Sequence, residues 1–218
     1  MTTNREAFDA IAATWYGVRH WPLLRHDLEG LAQRWGHGRI ANLGCGTGAD
    51  FLPFTGAFEL VGLDCSRGML REAQHHQTKH NYHALLIQGD LTSMPFGDST
   101  FDYAVGIASY HLVQDATARL LAFRELRRIL RPAGEALLSV WNYEQPRFRS
   151  LPQDQAIPWR VGNTTVERYY HLYTRDELET ALQRSGFDVV QLGYGTMKTG
   201  SSTEDIRNIC ALVRNPAP

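Results

Sequence analysis

The chain has 218 residues, 43% of them hydrophobic, and carries a net charge of −1 at neutral pH. That length suits one domain with a sizeable core, and the balanced charge excludes a global basic field, so any nucleic-acid partner needs a local patch. Cys45, Cys65 and Cys210 are widely spaced and form no C-x-x-C pair, which argues against a disulfide framework or a metal site and for a reducing cytoplasm.

In chain order, the opening MTTNREAFDA is polar, without the apolar stretch of a secretory signal, and no later run has the length of a membrane span. Two helices are expected before the first strand. The second begins at Pro22, carries Leu24, Leu28, Leu31 and Trp35 on one stripe, and stops at Gly36. RIANLGCGTG (39–48) reads as a strand breaking into a tight glycine loop, and FELVGLD (58–64) as a second strand ending in an acid. A helix capped by Ser66 follows, and HALLIQGD (83–90) is a third strand ending in an acid. FDYAVGIA (101–108) is the fourth. Residues 115–130 are helical, with Ala116, Leu120, Phe123, Leu126 and Leu130 on one face, and GEALLSVW (134–141) is the fifth strand. An irregular stretch is expected over 142–165. A helix over 175–185, with a Thr174–Glu177 capping box and Gly186 after its end, leads to strand 187–194, a loop over 195–203 and a last strand near 208–213.

Apolar strands alternating with helices predict an open α/β fold: a doubly wound, mostly parallel, seven-stranded Rossmann-like sheet with an antiparallel last strand and two N-terminal helices. Residues 1–218 are expected to form one domain, with a helical lid (1–37), a cofactor-binding half (38–142), and a substrate-side insertion with the C-terminal strands (143–218). Ligands of such sheets bind at the carboxyl ends of the strands, near the switch in strand order.

GCGTG after a first strand brings backbone close to a ligand, and Asp64 lies twenty residues past Gly44 at the end of the second strand. That placement suits a carboxylate holding two ribose hydroxyls, in nicotinamide and S-adenosylmethionine enzymes alike. Tyr194 and Lys198 match the Y-x-x-x-K of short-chain dehydrogenases, but stand in a late glycine-flanked loop rather than the mid-chain helix that pair needs. The series LGCGTG, GLDCS, GDLTSMPF, FDYAVGIA and LRPAGEALLS, over roughly 38–142, resembles the class I S-adenosylmethionine methyltransferases. The resemblance implies S-adenosyl-L-methionine as cofactor and S-adenosyl-L-homocysteine as product. Gly44, Gly46 and Gly48 would cradle it, Asp64 would hold the ribose and Asp90 the adenine, with Cys45, Cys65, Leu91 and Ile107 as further candidate cofactor contacts; no metal is implied.

Three additions to this core, FDAIAATWYGVRHWP (8–22), IASYHLV (107–113) and AIPW with ERYYHLYTRDEL (156–178), resemble the tRNA wobble-uridine carboxymethyl methyltransferases. That family includes the methyltransferase part of the human AlkB-homologue tRNA enzyme. It implies methyl-ester formation on the carboxylate of 5-carboxymethyluridine in a tRNA anticodon loop, a cytoplasmic enzyme, and a small zinc-binding activator protein as partner. The sequence departs from the family in a short, lysine-poor stretch before ERYYHLY, and in having His111 followed by Leu112 rather than a second histidine. A small-molecule carboxyl-, C- or N-methyltransferase sharing the core, and a non-catalytic cofactor-binding subunit, stand as alternatives.

A carboxylate is already ionised at neutral pH, so an enzyme must desolvate, hold and align it rather than deprotonate it. Arg19 and Arg168 are the candidate clamps, and His111 the candidate orienting group. Tyr16, Tyr110, Trp141, Tyr169 and Tyr170 are candidates for holding the base, together with Tyr173. Each has a plainer reading: Arg19 on the surface, His111 capping helix 115–130, and the tyrosines as packing. Strand alternation in RYYHLY predicts one buried set, 169, 171 and 173 or 168, 170 and 172, and one exposed set. His75, His76, His80 and His83 read as the solvated end of a helix, and Arg124, Arg127, Arg128 and Arg131 as either a phosphate-contacting or a solvent face.

Overall fold

The computed structural model describes residues 3–195 and 207–217. Helices α1 (Asn4–Tyr16) and α2 (Arg25–Trp35) come first. Strand β1 (Gly38–Leu43), a 3-10 turn (Ala49–Phe54), β2 (Phe58–Asp64), α3 (Arg67–His80), β3 (Ala84–Gln88) and β4 (Phe101–Ile107) follow. Then come α4 (Ala116–Ile129), β5 (Leu130–Trp141), β6 (Asp154–Val161), β7 (Thr164–His171), α5 (Arg175–Arg184), β8 (Asp188–Tyr194) and β9 (Asn208–Arg214).

The main sheet has seven strands in the order β3-β2-β1-β4-β5-β9-β8. β9 runs antiparallel to both neighbours, and the other pairs are parallel. This is the expected doubly wound α/β sheet with its last strand reversed. One face is covered by α4 and α5 over Phe123, Leu126, Leu178 and Leu182; the other by α2 and the 3-10 turn over Leu28, Trp35, Phe51 and Phe54. The inner strands bury both faces, which is why they read as continuous apolar runs rather than alternations.

Local signals worked where they were chemical. Ser66 caps α3, its hydroxyl accepting from the Met69 N–H, and α5 follows the Thr174 cap and ends before Gly186 at φ 86°. Helix α2 begins at Arg25 rather than Pro22. The Thr174–Glu177 box is half formed: the Thr174 hydroxyl accepts from the Glu177 N–H at 3.2 Å, while the Glu177 carboxylate turns to His171 and Gln153. The arginines on α4 include tethers as well as a solvent face. Arg128 pairs with Glu125 and Asp98, and Arg131, just past the helix, with Asp102.

The stretch 142–165 is not wholly irregular. β6 and β7 form an antiparallel hairpin around the two-residue loop Gly162–Asn163, with Gly162 at φ 58°. A two-residue glycine-containing loop between strand-like runs is the ordinary hairpin signal, and a two-stranded ribbon has edges on which Pro158 is tolerated. The ribbon also overturns the expected one-sided burial of RYYHLY. Arg168 faces α1 and Tyr170 faces His111 and Trp141, whereas Tyr169 and His171 face Asp154, Arg119 and α5. Both faces are covered, so Arg168, Tyr170, His171, Leu172 and Tyr173 are all buried and Tyr169 is half-buried.

Helix α1 crosses from the main sheet to this hairpin. Phe8 and Ile11 are buried, each stabilising by roughly 2 kcal/mol on area grounds. Gly68 lets α1 approach α3: a Cβ there would stand 2.9 Å from the Ala12 Cβ. Asp9 accepts from the Gly68 N–H and the Ser66 hydroxyl, both at 2.7 Å. At the other end the Asn4 carboxamide donates to the Leu112 and Tyr169 carbonyls and accepts from the Tyr169 N–H.

Candidate active site

β1 and β4 are neighbours whose chain connections run in opposite directions across the sheet, and a cavity of about 1340 Å³ opens beyond their carboxyl ends. That is where the switch-point rule puts a ligand. The volume exceeds the ~300–1,000 Å³ usual for one small ligand, which suits two bound together.

One end of the cavity is built from backbone. After β1 the chain turns through Gly44 at φ 70°, packed so tightly that a Cβ would lie 2.4 Å from the Ser109 Cβ. The Ser109 hydroxyl donates to the Leu43 carbonyl at 2.7 Å, locking the turns after β1 and β4 together. Gly46, at φ 50°, has nothing within 4 Å of where its Cβ would be, so bare backbone faces the cavity. The Gly46 N–H donates to Asp64 Oδ2 at 2.8 Å and the Ser66 N–H to Oδ1 at 2.9 Å. Burial outweighs these bonds and pushes the Asp64 carboxyl up to about 6. Beyond β3, Asp90 is anchored through Oδ1 to the Thr92 N–H at 2.8 Å and the Thr92 hydroxyl at 2.6 Å. Cys65, beside both acids, has its thiol pushed up to about 12 by burial and their charge, so it stays a neutral lining group. An open glycine turn after β1, a fixed carboxylate after β2 and another after β3 are a donor and acceptor set that suits a ribose and an adenine.

The other end is built from side chains. His111, in a short 3-10 turn after β4, is buried against Tyr170 (ring centroids 4.8 Å apart) and Trp141 (6.0 Å). Its Nδ1 accepts from the Trp141 N–H at 3.3 Å, which leaves the ring proton on Nε2. Burial, then the positive charge of Arg168, holds its pKa down to about 3, so the ring is a neutral donor rather than a base. Arg19, after α1, lies between the two ends. Its carbonyl accepts from the Thr47 hydroxyl, its Nη2 is 3.5 Å from Asp50 Oδ2, and its buried Nη1 has no protein partner. Burial raises the Tyr170 phenol, while the charges of Arg168 and Arg19 act against that rise.

A model of the family described as methyltransferase domain matches residues 40–134. A methyltransferase-family protein of Encephalitozoon cuniculi is 31% identical over 182 residues, covering 80% of this chain and 81% of its own length. The chain belongs to the S-adenosylmethionine-dependent methyltransferases. The tRNA (carboxymethyluridine(34)-5-O)-methyltransferase of Schizosaccharomyces pombe is 26% identical over 217 residues, 87% of this chain and 90% of that one. Among solved structures, a methyltransferase-family protein of Haloferax volcanii in complex with the Trm112 methyltransferase activator shares the fold at TM-score 0.72 and 19% identity, covering 99% of each chain.

Within this methyltransferase, Gly44, Cys45, Gly46, Asp64, Cys65, Asp90, Leu91 and Ile107 all line the cavity; Gly48 does not, and turns below it at φ 81° against the Tyr82 hydroxyl. Arg19, His111, Trp141 and Tyr170 line it as well. Arg168 does not: it lies behind Tyr170, boxed by rings. Tyr110 is a core residue stacked on Phe123 at 5.0 Å, because the turn after β4 points it into the layer under α4. Tyr16 instead packs on His20 and His76, and Tyr169 donates to Asp154 at 2.7 Å on the far face of the hairpin. The α4 cap is Asp115, not His111.

Sequence reasoning missed Phe8 and Trp15, which bring α1 to the cavity wall, and Asn4, which ties that helix to the hairpin. Their signal was the helical spacing of Phe8, Ile11, Ala12 and Trp15. It also misread His76. This ring is fully buried, 2.9 Å from the Tyr82 hydroxyl, and burial holds its pKa down to about 4. Tyr82 in turn donates to the Gly48 carbonyl at 3.1 Å, so the pair supports the glycine loop from below.

Proposed function

We propose that this methyltransferase esterifies a carboxylate carried on a flat base, that of 5-carboxymethyluridine at the wobble position of a tRNA anticodon loop. One observation carries the reading: the ring-lined end of the cavity offers donors where a base would be needed for a neutral acceptor. His111 has its acceptor nitrogen engaged and its Nε2 protonated, and the free Nη1 of Arg19 is cationic. A hydroxyl or amine acceptor loses a proton on methylation and calls for a general base. A carboxylate loses none and calls for charge-assisted donors instead. The similarity to the Schizosaccharomyces pombe enzyme supports the same acceptor.

When bound, S-adenosylmethionine supplies an electrophilic methyl group and leaves as S-adenosylhomocysteine. The Gly44–Thr47 backbone and Asp64 hold its amino-acid and ribose parts, and Asp90 with Leu91 and Ile107 its adenine. Arg19 Nη1 and His111 Nε2 receive the acceptor carboxylate, while Trp141 and Tyr170 flank the base. Their rings strip water from the carboxylate, which raises the value of each remaining charge-assisted bond.

A small activator would dock on the β3 edge. Among the described residues β3 pairs with β2 alone, leaving its other edge open, and Leu85 midway along it is exposed, the geometry that strand addition uses. The likeness to the Haloferax volcanii protein, which is bound to the Trm112 activator, supports a partner of this kind. No described helix is long and apolar enough to cross a membrane.

The test is incubation with labelled S-adenosylmethionine and tRNA bearing 5-carboxymethyluridine, followed by nucleoside mass analysis. The expected product is a methyl ester whose label is released by mild alkali. Alkali-stable label would overturn the carboxyl reading. Turnover on the free nucleoside at the same efficiency, insensitive to salt, would replace tRNA by a small acceptor, since tRNA binding weakens steeply as salt rises.

A further inference from the structure

Arg168 is the one candidate clamp that the cavity does not expose. Its side chain is buried, with no carboxylate within ion-pair distance among the described residues, and its Nε has no hydrogen-bond partner. A buried, unpaired guanidinium is costly. Here it is compensated by aromatic faces: its centre lies 5.2 Å from the Trp15 ring, 5.1 Å from Trp159, 5.2 Å from Tyr170 and 6.0 Å from Phe8. These rings come from α1, from β6 and from β7, the strand of Arg168 itself, so a helix and a hairpin converge on one cation. Such a box keeps the group charged without neutralising it.

The charge has one strong outlet. Arg168 Nη1 donates to the Tyr170 hydroxyl at 2.8 Å, and its Nη2 makes only a long contact, 3.5 Å, with the Pro158 carbonyl. A phenol that accepts from a cation still has its own proton to give. Among the described residues no acceptor takes the Tyr170 proton, and Tyr170 lines the cavity beside His111 and Trp141.

We propose that Arg168 acts on the acceptor through Tyr170: the guanidinium fills the inner lone pair of the phenol oxygen, so that the O–H points into the cavity and donates to the acceptor carboxylate. Arg168 is then a positioning residue and Tyr170 the group that touches substrate. The design delivers part of a positive charge to a desolvated carboxylate while keeping the guanidinium out of a bidentate pair with it. A second arginine held bidentate would occupy both carboxylate oxygens; a phenol adds one bond, to the oxygen that does not react. The proposal rests on the carboxyl-acceptor reading above.

The experiment compares wild type, Arg168→Met, Tyr170→Phe and the double variant for ester formation on tRNA bearing 5-carboxymethyluridine. S-adenosylhomocysteine affinity and Tm are measured on the same preparations. Each single variant is expected to lose about tenfold in kcat/KM for the acceptor, the worth of one charge-assisted hydrogen bond. The double variant should lose no more than the worse single one. Arg168→Met should keep wild-type affinity for S-adenosylhomocysteine and a Tm no lower than wild type, because an apolar side chain of similar length satisfies the ring box without a buried charge. Arg168→Lys should recover part of the loss.

Losses that multiply in the double variant would overturn the relay, as would full activity of Arg168→Met. Failure of Arg168→Met to fold, or a parallel fall in cofactor affinity, Tm and turnover, would make Arg168 structural and overturn it too. Wild type that forms no ester sinks the acceptor reading and the relay with it. Wild type that forms ester while the variant losses multiply sinks the relay alone.

Discussion

The two ends of the cavity are built from different materials. The cofactor end consists of three turns after β1, β2 and β3, with backbone N–H groups of Gly46, Ser66 and Thr92 fixing two carboxylates. The acceptor end consists of side chains from α1, the turn after β4, the end of β5 and the β6–β7 hairpin. Backbone turns recognise parts that every S-adenosylmethionine enzyme meets. Side chains drawn from separate elements recognise what differs between acceptors. A change at one end should therefore leave the other end measurable.

The largest effect is expected from Gly44→Ala. A Cβ there meets Ser109 at 2.4 Å, in a backbone region costing a side chain about 1–3 kcal/mol before the clash is counted. S-adenosylhomocysteine affinity should fall on the order of a hundredfold by calorimetry, and Tm should drop about 2–4 °C for each kcal/mol lost. Unchanged affinity would mean that the cofactor end is not built from this turn.

His111→Ala should give the opposite pattern. Acceptor kcat/KM should fall roughly 10–100-fold, the range for a lost hydrogen bond to a charged group, with cofactor affinity unchanged. Because its pKa is near 3 in the fold, His111 should contribute no limb to the pH–rate profile between 5 and 8. In stability the sign is fixed: the unfolded ring binds protons that the folded ring refuses. Its contribution is present above the unfolded value and is lost as pH falls from about 6.5 toward 3. A wild-type rate limb near 6.5 that vanishes in His111→Ala would make the residue a base and reopen neutral acceptors.

A smaller effect separates the ends by pH. Asp64, proposed above to hold the ribose, accepts through both oxygens only as the carboxylate, and its pKa is about 6. S-adenosylhomocysteine affinity should weaken as pH falls below 6, approaching tenfold per unit, and Asp64→Asn should flatten that dependence. The same raised pKa works against the fold: its stabilising contribution is present below the unfolded value near 4 and is lost as pH rises through about 6.

The smallest effect belongs to the outer face of the hairpin. The His171 ring nitrogens lie 2.7 Å from Asp154 and 2.7 Å from Glu177, tying β6 and β7 to α5. The hydrogen bond and charge of His171 hold the Glu177 carboxyl below its ordinary value, outweighing burial. Its contribution is therefore present above the unfolded pKa and lost as pH falls through the folded one. Glu177 is partly exposed, so Glu177→Gln should cost only about 1 kcal/mol, read as a few degrees in Tm. Turnover on the acceptor should stay near wild type; a large loss would show that the outer face of the hairpin sets the inner one.

Legibility in the sequence followed the same division. Strands, glycine loop, Asp64 and Asp90 were readable because each signal is local: an apolar run, a glycine that permits positive φ, an acid at a strand end. Tyr16, Tyr110 and Tyr169 looked like Tyr170 in composition and spacing, yet only Tyr170 reaches the cavity. Which way a ring points depends on whether its element is covered on one face or both, and the hairpin is covered on both. Arg168 was visible as an arginine for a pocket, but its place behind Tyr170 depends on Trp15 and Trp159, which lie on other elements.

The amino-acid sequence by itself determined a doubly wound methyltransferase sheet and the cofactor end of its cavity. Periodicity, caps and glycine turns are set by residues a few positions apart, so their physics is written along the chain. Only the tertiary structure decided the acceptor end. There the state of His111 is set by the Trp141 backbone, the charge of Arg168 is sustained by rings from α1, β6 and its own strand, and Arg19 is held by Thr47 and Asp50. Those contacts exist only once separate elements have packed together: His111 and Trp141 are 30 residues apart, and Arg168 and Trp15 lie on β7 and α1.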